Sequence, residues 1–134
     1  MRELLIKLAT TGTIMGVFDA FWLSVVAKKF YEKYIGSLLL EKFNMTAALL
    51  FYSIYVIGVV LFVINPALEK DSLGHAALYG ALFGLVAYAT YDLTNRATLK
   101  GFPWTVVVVD LLWGTLLTMA VSAISFTLIR RWIS

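Results

Sequence analysis

Apolar residues run along this chain in four long stretches, at about 4–27, 46–65, 74–95 and 103–129, separated by short polar connections. Each approaches the roughly 20 consecutive apolar residues that a helix needs to cross a bilayer core. On a wheel turning about 100° per residue, the third stretch divides into two faces. Gly80, Gly84, Ala87, Tyr88, Tyr91, Asp92, Thr94 and Asn95 share one side. Leu78, Leu82, Phe83, Leu85, Val86 and Leu93 share the other, which is expected to face lipid. The polar side begins as Gly80-x-x-x-Gly84, a spacing that lets a neighbouring backbone approach closely. It ends as a cluster of hydrogen-bond donors and acceptors.

The other stretches repeat this plan. In the first, Gly12-x-x-x-Gly16 leads into Asp19, with Ala20, Trp22 and Leu23 nearby, while Ile14, Val17, Phe18, Phe21 and Val25 point away. In the second, Asn44, Ala48, Tyr52, Tyr55 and Phe62 line up. In the fourth, Asp110, Gly114, Thr118, Ser122 and Ser125 share one side, with Trp113 at its margin. Each helix therefore carries one small or polar stripe, and the four stripes are expected to face one another. The predicted fold is all-α: a single domain over 1–134, an integral membrane four-helix bundle with antiparallel up-down topology.

Local signals set the expected ends. Asn44 or Thr46 caps the second helix, Asn65-Pro66 ends it, Ser72 caps the third, and Pro103 sits near the first turn of the fourth. The longest connection, 28–45, mixes basic and aromatic residues in Lys28-Lys29-Phe30-Tyr31-Glu32-Lys33-Tyr34, followed by Leu38-Leu39-Leu40. It reads either as a segment lying flat at headgroup level or as an ordinary loop with one interfacial turn.

Three aspartates inside these stretches carry the most information. A carboxylate in hydrocarbon costs about 2.5–3.5 kcal/mol by insertion measurements, so three of them call for a use. In an antiparallel bundle the 28–45 and 96–102 connections lie on one membrane side. At about 1.5 Å per residue, Asp19 lies some 13 Å in from Lys28, Asp92 about 6 Å from Arg96 and Asp110 about 10 Å from Pro103. All three are expected in one half-membrane pocket with Trp22, Tyr88, Tyr91, Asn95 and Trp113, and with Tyr52, Tyr55 and Asn44 as a fourth wall. His75 lies near the opposite surface.

Plainer explanations stand beside that one. Asp92 and Arg96 have the i, i+4 spacing of a helical ion pair, Asp110 suits interhelical hydrogen bonding, and Trp22 and Trp113 suit simple packing. If the aspartates are functional, neighbouring carboxylates in a poorly solvated pocket resist joint ionisation. That fits proton exchange, or binding of a cation or protonated amine against indole and phenol faces. Two carboxylates can also share a proton for acid–base work, as in an aspartyl hydrolase.

Composition narrows the classes. Hydrophobic residues make up 61% of the chain and charged ones 14%, which excludes a water-soluble domain. The net charge of +3 comes from Lys and Arg that flank the spans, a pattern of interfacial anchoring, so no nucleic-acid partner is expected. The termini and the 66–73 loop hold Arg2, Lys7, Lys70, Arg130 and Arg131, against Lys28, Lys29, Lys33, Lys42, Arg96 and Lys100 in the other connections. One residue of difference does not orient the chain. With no cysteine, thiolate catalysis, disulfides and thiolate zinc sites are excluded. No metal or cofactor motif is present, and Asp19 within the first span argues for a retained helix rather than a signal peptide.

The run Gly84-Leu85-Val86-Ala87-Tyr88-Ala89-Thr90-Tyr91-Asp92-Leu93-Thr94-Asn95, with Ala97-Thr98-Leu99, Pro103 and Val109-Asp110-Leu111-Leu112-Trp113-Gly114-Thr115, resembles an uncharacterised prokaryotic family of predicted membrane proteins, domain of unknown function 2177. The resemblance extends to Asp19-x-x-Trp22-Leu23 and the Phe51-Tyr52 region and covers nearly the whole chain. It departs where Phe102 precedes Pro103 in place of an expected tryptophan, with Trp104 displaced beyond. The resemblance implies a small four-helix protein of a prokaryotic inner membrane and no established reaction.

The leading expectation is a protein that binds or transports a small ligand, namely a proton, a cation or an amine-bearing metabolite, through Asp19, Trp22, Tyr55, Tyr88, Tyr91, Asp92, Asn95, Asp110 and Trp113. Transport would call for a homodimer, for which the Gly12/Gly16 or Gly80/Gly84 stripes offer contacts. Two alternatives stay open: a membrane-embedded enzyme acting on a lipid or isoprenoid-like substrate with the aspartates as acid and base, and an accessory subunit of a membrane complex.

Overall fold

The computed structural model describes residues 2–38 and 44–133. Four helices are long and apolar enough to cross a membrane: α1 (Arg2–Ile35), α2 (Met45–Lys70), α3 (Leu73–Thr98) and α4 (Trp104–Ile133). Among the described residues there is no strand. The ends follow local chemistry. Asn44 Oδ1 accepts from the Ala47 N–H at 3.1 Å, and Ser72 Oγ from the His75 N–H at 3.0 Å, each satisfying a first-turn donor. Asp71 takes the left-handed conformation (φ 49°) that closes α2, and Gly101 (φ 75°) turns the chain between α3 and α4.

Two boundaries differ from expectation. Proline does not stop α2, which continues through Asn65 and Pro66 to Lys70. A π turn, Val60–Ile64, immediately precedes that segment. In a regular α-helix the proline ring collides with the carbonyl four residues back, and the wider turn relieves that collision. Likewise, Lys28–Ile35 is helix continuous with the first span through a second π turn, Leu23–Ala27. Phe30, Tyr31, Tyr34 and Ile35 pack on Phe102, Val106, Val107 and Leu111, while Lys28, Lys29, Glu32 and Lys33 are exposed. That spacing makes an amphipathic helix, whose apolar face is satisfied by α4 rather than by a headgroup layer. Of the Leu38-Leu39-Leu40 run, positions 39 and 40 lie outside the described residues.

The π turns also move side chains between faces. The buried residues of α2 are Tyr55, Val56, Val59, Val60, Val63, Ile64 and Ala67, a four-residue recurrence that winds more slowly than a regular α-helix. Phe62, expected inside, is 69% exposed as a result, and Asn44 and Ala48 are exposed too. In α1 the expected outward residues Ile14 and Phe18 pack on the main core, whereas Ala20 and Leu23 face out. Phe83, expected at lipid, fills the slot that Gly58 leaves, where a β-carbon would come within 2.9 Å of its ring.

The tightest contact joins α3 to α4. A β-carbon on Gly80 would come within 2.6 Å of Ser122 Oγ and 2.8 Å of the Thr118 carbonyl oxygen. One on Gly84 would strike the Gly114 carbonyl and lie 2.7 Å from Thr118 Oγ1. Asp110, Gly114, Thr118, Ser122 and Ser125 are all buried, as the fourth-helix stripe predicts. Gly12 and Gly16 face α2, the Tyr52 hydroxyl donating to the Gly12 carbonyl. Both glycine stripes thus serve packing within the chain. At the other end of the molecule Arg130 Nε pairs with Asp71 Oδ1 at 2.8 Å, fastening the α2–α3 turn to α4.

Candidate functional site

Where α1 and α2 meet the hairpin of α3 and α4, the packing leaves a cavity of about 450 Å³. Tyr31, Tyr55, Tyr88 and Tyr91 line it, and Asp110 is the one carboxylate among the described residues that do. Ile35, Phe51, Ala87, Phe102 and Val106 complete an apolar wall. The volume falls in the range of small-molecule sites, which are mostly apolar with a few placed polar groups.

Each tyrosine arrives by a different local cause. Tyr88 rests over Gly114, where a β-carbon would run into its ring. Tyr55 is held from both sides: its hydroxyl bonds Thr118 Oγ1 at 2.7 Å, and Phe83 meets its ring edge-on at 5.3 Å. Tyr31 reaches in from the α1 extension, and its hydroxyl donates to Asp110 Oδ1. Tyr91 stands at the margin, 60% exposed, with Asn95 one turn on and within reach of its hydroxyl.

The remaining residues picked from sequence surround this cavity without lining it. Trp22 and Trp113 stack at 4.2 Å with an interplanar angle of 11°, closing α1 against α4. Asp92 is wholly buried, and the antiparallel register that sets Gly80 on Ser122, Gly84 on Thr118 and Tyr88 on Gly114 brings its turn of α3 level with Asp110 on α4. Neither Asp92 oxygen has a hydrogen-bond partner among the described residues. Asp19, half-buried on α1, lies close enough to Tyr52, Tyr55 and Tyr88 to act on their phenols. The expected Asp92–Arg96 ion pair does not form among the described residues. The Arg96 guanidinium instead lies over the Trp104 ring, 5.0 Å from its centroid, an alternative cation contact that the helix turn around Gly101 brings into range.

Sequence reasoning left the lining residues Tyr31, Ile35, Phe51, Ala87, Phe102 and Val106 out of the site. The signal was present: Phe30, Tyr31, Tyr34 and Ile35 recur at helical spacing opposite Lys28, Lys29, Glu32 and Lys33. For Tyr31 and Ile35 that signal was lost because the stretch was read as a headgroup-level segment or a loop, not as a continuation of the first helix.

A ring of phenols around one carboxylate offers π faces and a counter-charge, which suits a compact organic cation. Comparison with curated proteins and with solved structures gave no match. The family described as predicted membrane protein (DUF2177) matches residues 4–127, nearly the whole chain, and the protein belongs to that family.

Proposed function

We propose that this membrane protein binds a small amine-bearing molecule, as its ammonium ion, in the cavity between the four helices. Asp110 supplies the counter-charge, Tyr55, Tyr88 and Tyr91 the aromatic walls, and Tyr31 holds the carboxylate in place. The observation that carries the reading is Asp110, 5% exposed, projecting its carboxyl into a tyrosine-lined cavity of about 450 Å³. A carboxylate there without a cation is costly, and an ammonium against phenol faces offsets that cost. The helices cross the inner membrane of a prokaryotic cell alternately, and movement of the ligand across the bilayer would require a second copy to complete a pathway.

The test is thermal stability in mild detergent against a panel of monoamines, quaternary amines and neutral analogues of equal size. Amines should raise the melting temperature and neutral analogues should not, and Asp110→Asn should weaken the response by roughly tenfold or more in concentration. Equal responses to amines and neutral analogues would reduce the cavity to an apolar site. Membrane-embedded acid–base catalysis on a lipid or isoprenoid-like substrate is the second reading, favoured by the adjacency of Asp92 and Asp110. Turnover lost in both Asp→Asn variants with binding retained would move the conclusion there.

A further inference from the structure

Asp92 plays no direct part in lining the cavity, yet it is 0% exposed and both its oxygens lack a partner among the described residues. An ionised carboxylate is only an acceptor, and its neighbour Asp110 is another. The groups around the pair do not resolve this. From α1 come the Tyr31 hydroxyl, already given to Asp110, and Asp19, a third acid rather than a cation. From α2 comes Tyr55, whose hydroxyl is engaged with Thr118. On α3, Tyr88 and Tyr91 are neutral phenols, and Arg96 is turned to Trp104. No ion pair reaches either carboxylate among the described residues.

We propose that Asp92 and Asp110 hold one proton between them, so that the pair presents a single negative charge to the cavity and selects ligands of a single positive charge. A proton on either carboxyl makes it a donor to the other and gives Asp92 the partner it lacks. One charge is removed from the interior, and the other remains at Asp110 where a ligand can meet it. An ammonium then closes the site at neutrality: one carboxylate, one shared proton, one cation. A second ammonium on the same ligand would find no counter-charge unless the proton left to water. Conversely, a second proton taken from water neutralises Asp110 and competes with the monocation, one for one. The charge selection rests on the amine-binding reading for its ligand; the shared proton does not.

Two measurements keep these apart. Infrared spectroscopy of the detergent-solubilised chain at neutral pH should show a protonated-carboxyl C=O band that is absent in Asp92→Asn and in Asp110→Asn and persists in Asp19→Asn. Asp92→Glu and Asp110→Glu, which keep a carboxyl, should shift the band, and they serve where an Asn variant does not fold. No such band, or one indifferent to both positions, overturns the proposal, the first outcome fitting a metal cation bridging the pair. Calorimetric titration with phenethylamine and with putrescine is the second measurement. The monoamine should bind on the order of tenfold more tightly at neutral pH, and raising the pH should narrow the gap. Equal affinities overturn the charge selection. The band without any amine binding keeps the shared proton and removes the amine-binding function.

Discussion

Tyr88 owes its place in the cavity wall to a side chain that is missing on the facing helix. A β-carbon at Gly114 would run into the Tyr88 ring, coming within 2.8 Å of Cδ2, and neither helix can withdraw because Gly80 and Gly84 seat α3 directly on α4. Gly114→Ala should therefore destabilise the fold by about 3 kcal/mol, the upper part of the range for overpacking, and should displace Tyr88. Gly36→Ala is the comparison, since nothing lies within 4 Å of its added carbon. It should change stability by under about 1 kcal/mol, in the stabilising direction. Equal losses in denaturant titrations of the two variants would show that close approach is not what the glycine provides. Tyr31 supplies the one side-chain hydrogen bond that Asp110 receives among the described residues. Tyr31→Phe keeps the ring and removes the donor, so the expected loss is about 2 kcal/mol, the scale of a hydrogen bond to a charged group. Wild-type melting in that variant would mean that Asp110 does not depend on this donor.

At the scale of the helix, the two π turns decide which side chains meet. Each inserts an extra residue into its turn and rotates the residues beyond it by roughly 100° relative to an unbroken α-helix. Nine residues separate Trp22 from Tyr31, which on a regular helix is half a turn out of phase; the π turn Leu23–Ala27 between them brings both to the α4 side. Deleting Val25, which is 60% exposed and belongs to no core cluster, should close that turn to a regular α-helix. Tyr31 would then swing away from Asp110, and Phe30, Tyr34 and Ile35 would leave Phe102 and Val106. The deletion should cost more than Tyr31→Phe, and fluorescence of Trp104 and Trp113 should report the loosened end; a deletion as mild as an exposed Val25→Ala substitution would sink the idea. The same turns mark the limit of what the sequence carries. Constant rotation predicted the buried stripes 110, 114, 118, 122 and 125 on α4 and 80, 84 and 92 on α3, because those helices are regular. It failed for Phe62, which lies within a π turn, for Ile14 and Phe18, which precede the π turn of α1 and pack on the core, and for Phe83, whose place depends on Gly58 of another helix. Counting residues from the membrane edge speaks to height and not to azimuth, so the placing of Asp92 level with Asp110 across α3 and α4 was not legible that way.

For the whole molecule, the open quantity is how the four helices thread the bilayer, and with it the side from which the cavity is reached. The near-equal split of Lys and Arg between the two sets of connections gives no decisive bias, but the absence of cysteine makes the measurement direct. Exposed Gly36 lies at the end of α1 and exposed Lys100 between α3 and α4; exposed Glu3 and Glu69 lie at the start of α1 and near the end of α2. An alternating passage requires Gly36→Cys and Lys100→Cys to react with a membrane-impermeant maleimide from one side of intact cells. Glu3→Cys and Glu69→Cys should react only from the other, and whichever set faces the cell interior reacts only after the membrane is opened. Labelling that mixes the two sets would overturn the up-down topology, because no alternating path puts Gly36 and Glu69 on one side. If the sets separate, the cavity belongs to the side of Gly36 and Lys100, since Ile35 and Phe102 in its wall lie next to those positions in the chain. Phenethylamine added on that side alone should then slow labelling of a cysteine placed at half-exposed Ala87 in the cavity wall, whereas addition on the opposite side should slow it only if the ligand crosses. Protection from one side describes a receptor-like site in half of the membrane, and protection from both describes a carrier.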